Sequence, residues 1–221
     1  MDIQLHIPGR TAPETVTVEE TALVGVLLAG HDGDAVWTEE VEVAVDLTVT
    51  FQTAGIRAGH HVHRGPCHRV AVTVALDGRD ATVDTGPATT VGTVLRRAAG
   101  QLGLAEGPYD AVDRATGQPV GHGTHVGSLP ATGTCHTTLD GHRREVRIVV
   151  NARPREVSAG DVTFDQVVAL AFETPPPGAN LEFTVTYRHG EPAQPKGSLL
   201  AGKSVRVREG MVFVVTATDK S

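Results

Sequence analysis

The sequence predicts an α+β chain in which one small unit occurs three times, and three observations point to this. A short β-rich run leading into a tight turn occurs at residues 3–7, 70–74 and 146–150. A stripe of apolar residues at helical spacing follows each of them. A hydrophobic-x-x-Gly signal, with one extra residue in the second segment (129–133), then precedes another β-rich run. From the first residue of the opening run to that glycine the chain advances 56, 63 and 64 residues (3 to 59, 70 to 133, 146 to 210). Such constancy marks internal repetition, which decides the fold before any single element does.

The opening runs turn at Gly9-Arg10, Asp77-Gly78-Arg79 and Asn151-Ala152-Arg153 and continue as second β-type runs at 15–18, 81–84 and 155–157. Asp-Gly between two such runs is a strong hairpin signal, Pro-Gly and Asn-Ala weaker ones. Helices follow. In the third unit Thr163 and Gln166 fit a capping box, and Phe164, Val167, Val168, Ala171 and Phe172 share one face until Pro175-Pro176-Pro177 stops the helix. In the second, Thr90 precedes Val91, Val94, Leu95, Ala98, Ala99 and Leu102, with Gly103 as C-cap. The first unit offers only Thr21 and a glycine-interrupted stripe over 23–29. Phe183, Val185 and Tyr187 then alternate with Thr184 and Thr186 as a strand. Hairpin, helix and further strands within about 65–75 residues describe one helix laid across a mixed sheet, the order of the β-grasp fold. Domain boundaries are expected near Gly65-Pro66 and Asp140-Gly141, giving domains 1–65, 66–141 and 142–221.

Composition narrows the function. A 221-residue chain that is 40% hydrophobic and 20% charged can bury a core, and a net charge of −7 argues against nucleic acid as the main partner. The longest nearly apolar run, 22–30, is too short to span a membrane, and the start Met1-Asp2-Ile3-Gln4 has no leader pattern, so a cytoplasmic location is expected. Two cysteines 68 residues apart are not expected to make a disulfide framework.

Few residues suggest chemistry. His60, His61, His63, Cys67 and His68 cluster, and His61, His63 and Cys67 come nearest to a zinc ligand set. Their spacing matches no common zinc motif, and histidines on a last strand can simply be solvated, so no metal and no cofactor are expected. Cys67-His68 and Cys135-His136 place thiol and imidazole on opposite strand faces, which argues against a catalytic cysteine. No Gly-x-Ser-x-Gly, phosphate loop or dinucleotide fingerprint occurs, so no catalytic residue is assigned and the protein is not expected to be an enzyme. In the acidic run 38–43, Glu40 and Glu42 are expected to face water and Val41 and Val43 the core. Arg206 and Arg208 alternate with Val205 and Val207 as a basic strip, a candidate partner-binding surface.

Residues 144–221 resemble the bacterial multi-ubiquitin domain, through the stretches 146–157, 163–172 and 183–190 and above all through 200–213, which reads Leu200-Ala201-Gly202-Lys203-Ser204-Val205-Arg206-Val207-Arg208-Glu209-Gly210-Met211-Val212-Phe213. The first two units resemble ubiquitin-like domains only in strand order and in the glycine signal. The resemblance implies a non-enzymatic protein modifier or modifier precursor, with ubiquitin-activating-like and conjugating-like enzymes and a JAB-type peptidase as partners. It implies no nucleic acid, membrane or small-molecule substrate. The C-terminal tail after Val215, ending Asp219-Lys220-Ser221, would then be threaded into the activating enzyme. Such tails usually end in Gly-Gly, and here no glycine follows Gly210. The alternative is a non-covalent adaptor that binds partners multivalently through its repeated units.

Overall fold

The computed structural model describes residues 1–104, 107–129, 134–172 and 181–219, and its contacts divide the chain into two compact units, Met1–His142 and Arg143–Ser221. The first unit gathers two of the three predicted repeats.

Its first sheet holds β1 (Asp2–His6), β2 (Glu14–Thr17), β3 (Ala35–Thr38) and β4 (His61–Gly65) in the order β2-β1-β4-β3. β1 runs antiparallel to β2 and parallel to β4. Ile3 and Leu5 point from β1 into a core with Val62, Val36, Phe51 and Ile56. The expected first helix is only a 3-10 turn, Val24–Leu28. The N–H groups of Val24 and Gly25, which open it, donate to the carbonyls of Val49 and Leu47, and a Cβ at Gly25 would stand 3.1 Å from the Leu47 oxygen. With the following segment pressed onto it, the stretch stays a single tight turn. A second correction concerns the acidic run. β3 ends at Thr38, and Val41 and Val43 are 45% and 74% exposed.

The second sheet holds β5 (Val70–Leu76), β6 (Arg79–Thr85), β7 (Tyr109–Asp113), β8 (Pro119–Val120) and β9 (His136–Arg143), in the order β6-β5-β9-β7-β8. Asp77 and Gly78 both have positive φ, 50° and 73°, the pair of conformations that joins twisted strands in two residues. β5 buries Val70, Val72, Val74 and Leu76 in strict alternation, and α1 (Val91–Gln101) covers them with Val91, Val94, Leu95, Ala98 and Ala99. The Thr90 hydroxyl accepts from the Thr93 N–H at the start of α1, and Gly103 at φ 63° lets Leu104 N–H close the end onto Ala99. β5 and β9 are parallel neighbours, pairing Ala71 with His136. That pairing brings the residues just before them together, and Cys67 and Cys135 form a disulfide with their Cα atoms 5.5 Å apart. The expectation of unbridged cysteines is thereby corrected.

The unit Arg143–Ser221 holds β10 (Glu145–Val150), β11 (Arg153–Ser158), β12 (Asp161–Thr163), β13 (Leu181–Arg188), β14 (Lys196–Leu199), β15 (Ser204–Arg206) and β16 (Val212–Asp219). Five of these form a sheet in the order β11-β10-β16-β13-β14, and β12 pairs with β15 beside it. In all three main sheets the first strand lies between the second and the last and runs parallel to the last. The expected capping box of α2 (Phe164–Ala171) is present, with the Thr163 N–H donating to Gln166 and the Gln166 N–H to the Thr163 hydroxyl. Phe164 and Val167 pack on Ile148, Val150, Val185, Tyr187 and Phe213. The proline stop at 175–177, like Gly133 of the second repeat, lies outside the described residues. The described residues thus form a mixed α+β structure with two α-helices, consistent with β-grasp-like folding, and the expected main helix of the first repeat is absent among them.

Candidate functional site

β1 and β4 alternate, so with Ile3, Leu5 and Val62 committed to the core, Gln4, His6, His61 and His63 occupy the opposite face. The parallel register sets His6 beside His63 and Gln4 beside His61. This face is not open to water. The segment before and within the 3-10 turn Val126–Ser128 lies on it, with Gly9 N–H donating to the Ser128 carbonyl. His6, His63 and His125 are consequently 2%, 1% and 0% exposed, and His61 is half-buried. Solvated histidines are therefore the wrong reading of this strand. His125 could approach only because residue 127 is glycine. A Cβ there would fall 2.5 Å from Pro87 Cβ and 2.6 Å from His63 Nε2.

The rings are in contact. His6 Nε2 and His61 Nδ1 share a hydrogen bond of 2.8 Å, and the His6 and His125 rings stack with centroids 3.7 Å apart. One ring nitrogen from each of His6, His61 and His125 lies within 4.8 Å of the others, close enough for one metal ion to be held. Burial, helped by neighbouring His61, pushes the His6 pKa down to about 4. Burial, then His6 and Arg64, pushes His63 to about 3, and burial with the three other rings drives His125 down further. These imidazoles are neutral at neutral pH and offer lone pairs. Of the expected candidates, the structure brings His61 into the cluster. His63 turns its Nε2 toward Gly127 and Gly65, and Cys67 is in the disulfide. His6 and His125 were missed; the alternation of His61 with His63 beside a parallel strand carrying His6 was the available signal, whereas nothing local marks His125.

The acidic run is also engaged. Glu40 Oε1 accepts from the Thr90 N–H (3.0 Å), the Thr90 hydroxyl (2.6 Å) and the Thr93 hydroxyl (2.9 Å). Burial works to raise its pKa, but these donors and the Arg97 charge hold it below the usual carboxylate range. Glu42 accepts from Arg69 at 2.8 Å, Arg97 at 3.1 Å and the Thr85 hydroxyl at 3.2 Å, and the two arginines lower its pKa in turn. The carboxylates expected to face water thus bind Arg69, Thr85, Arg97 and the start of α1, and Val41 and Val43 turn outward.

In the third repeat, Arg206 and Arg208 are exposed and Val207 is buried. Arg206 Nε stands 3.8 Å from Glu191 Oε1, and Arg208 Nη1 donates to the Gly190 carbonyl at 3.3 Å, so both lean on the loop after β13. The last strand continues past Val215. Thr216, Ala217, Thr218 and Asp219 pair in register with Thr184, Phe183, Glu182 and Leu181. Lys220 and Ser221 lie outside the described residues.

This strand order, with its capped helix and central parallel pair, is where the comparison with known families falls. Residues 146–219 match the Multiubiquitin family model. The match covers about a third of the chain and makes its last unit a multi-ubiquitin-like domain. No curated protein matches the chain. Among the described residues no helix is long and apolar enough to cross a membrane, which says nothing of β-barrels.

Proposed function

We propose that this protein is a non-enzymatic ubiquitin-like modifier, or the precursor of one, made of three tandem β-grasp units and serving a bacterial conjugation system in the cytoplasm. The observation that carries this reading is the Multiubiquitin match over 146–219. In the same stretch, β16 lies between β10 and β13. Its partners are activating-like and conjugating-like enzymes and a JAB-type peptidase. The recognition face is the open side of the third sheet, where Val214, 49% exposed, sits opposite Thr186 and Thr216 opposite Thr184, together with Arg206 and Arg208. Because the ladder holds the chain to Asp219, this reading places the attachment or processing point at or beyond Asp219, at Lys220 or Ser221 in the sequence as it stands.

A second reading, the non-covalent multivalent adaptor, draws on that same ladder, since the strand is held in the sheet through Asp219. Intact mass of the full chain, incubated with ATP and candidate activating, conjugating and peptidase enzymes, separates the two. Loss of C-terminal residues or a mass increment equal to a joined protein supports the modifier. An unchanged mass with active enzymes overturns it and leaves the adaptor.

A further inference from the structure

We propose that His6, His61 and His125, completed by the carboxylate of Glu39, form a zinc site that joins the first sheet to the turn carrying His125. The ligands come from four places: the end of β1, the start of β4, the residue before the 3-10 turn, and the chain just after β3. The three imidazoles each bring a ring nitrogen within 4.8 Å of the others. Glu39 Oε1 stands 3.4 Å from His125 Nε2. Two ligands bound at about 2.0–2.1 Å to a tetrahedral ion lie about 3.3 Å apart, which is close to the separation of Glu39 Oε1 and His125 Nε2, and the three ring nitrogens would draw together from their present spacing.

A second, independent observation points to a ligand. Both ring nitrogens of the fully buried His125 lack a hydrogen-bond partner, whereas buried polar atoms ordinarily have one. Packing of neutral histidines alone pairs His6 with His61 and leaves His125 stacked on His6 without a hydrogen bond. A cation takes the lone pair of His125 and replaces the proton shared by His6 and His61, which moves to another ring nitrogen or to water. Imidazoles with one carboxylate suit zinc, and not calcium or magnesium, which take oxygen ligands. The partial exposure of His61 and Glu39 provides the route in.

The test uses the tag-free full chain, stripped with chelator, titrated with Zn²⁺ against a competing chelator and separately with Co²⁺ as a spectroscopic probe. The expected result is one equivalent of Zn²⁺ bound, intense tetrahedral-type Co²⁺ bands and a raised Tm. His61→Ala should weaken binding by more than roughly tenfold, since even losses outside the ligand shell cost about that much. His31→Ala, at an exposed histidine elsewhere, should leave it unchanged. Absence of a saturable single site, or unaltered affinity in His61→Ala, overturns the proposal. His6→Gln gives a second reading of the same site, and because the His61 ring is only half-buried, His61→Ala decides if His6→Gln fails to fold.

Discussion

Glu40 caps α1 from 50 residues upstream, its Oε1 accepting the Thr90 N–H at 3.0 Å and the Thr90 hydroxyl at 2.6 Å. Its backbone makes this reach possible: φ of 60° turns the chain sharply out of β3 and aims the side chain at the helix start. A carboxylate there answers both the unpaired N–H groups and the positive end of the helix dipole. Glu42, two residues on, bridges Arg69 and Arg97. The chain after β3 thereby grips α1 and Arg69 by polar contacts, and the histidine face of the first sheet packs on the turn carrying His125.

Glu40→Ala should lower the stability of the folded chain by about 1–2 kcal/mol, the usual loss for an N-terminal cap. The pH dependence has a definite sign. Glu40 and Glu42 both have folded pKa values below the ordinary 4.5, so the unfolded chain takes up protons first as pH falls. Their contribution is complete above that ordinary value and is lost as pH drops through the depressed folded values. Urea midpoints measured from pH 7 to pH 3 should therefore fall more steeply for the natural chain than for the Glu40→Ala/Glu42→Ala double variant. Parallel curves would contradict this account.

Gly127→Ala inserts a methyl group into contacts of 2.5 Å with Pro87 and 2.6 Å with His63. Overpacking of this kind costs about 1–3 kcal/mol. Gly123→Ala, where a Cβ meets nothing within 4 Å, is the matched control. Thermal unfolding should separate the two variants, and equal Tm values would mean that the turn is not pressed onto the histidine face.

The Cys67–Cys135 bridge closes a loop with a sequence separation of 68. Its loss, by reduction or by Cys67→Ala with Cys135→Ala, should cost about 2–4 kcal/mol. Alkylation of the denatured protein followed by mass measurement should label no thiol before reduction and two after it. Two labelled thiols in protein isolated under oxidising conditions would rule the bridge out.

Asn151 acts as a substitute strand residue. Its side-chain Nδ2–H donates to the Val215 carbonyl at 3.0 Å, and its Oδ1 accepts the Val215 N–H at 2.8 Å, beyond the point where β10 stops pairing with β16. Asn151→Ala should leave the Val215 groups unpaired at a cost of about 1–3 kcal/mol and speed amide exchange at Val215. Next to it, Ala152 holds φ of 64°, so Ala152→Gly should stabilise by roughly 0.5–1 kcal/mol. Unchanged exchange at Val215 in Asn151→Ala would count against the surrogate role.

What was legible in the sequence was local chemistry. Asp77-Gly78, Thr163 with Gln166, and the stripe from Val91 to Ala99 each announce their element within a few residues, and the structure builds each one there. The unread parts depend on a second surface. Val41 and Val43 alternate with glutamates as a strand would, but Thr90, Arg69 and Arg97 lie within reach of those glutamates and capture them. The stripe over 23–29 reads as a helix, but the segment carrying Leu47 and Val49 packs against Val24 and Gly25 and only a 3-10 turn forms. His6 and His125 sit 119 positions apart, and only the packing of one sheet on the next turn makes them neighbours.

Because the first sheet is covered on both faces, the repeat boundary visible at Gly65-Pro66 is not a seam along which the molecule can be divided. A protease cutting there, or a gene truncated there, would release a fragment with His6 and His63 bared to water, Glu40 without Thr90 and Thr93, and Glu42 without its arginines. Residues 1–142 therefore hold together as one compact unit, although the sequence spells out two.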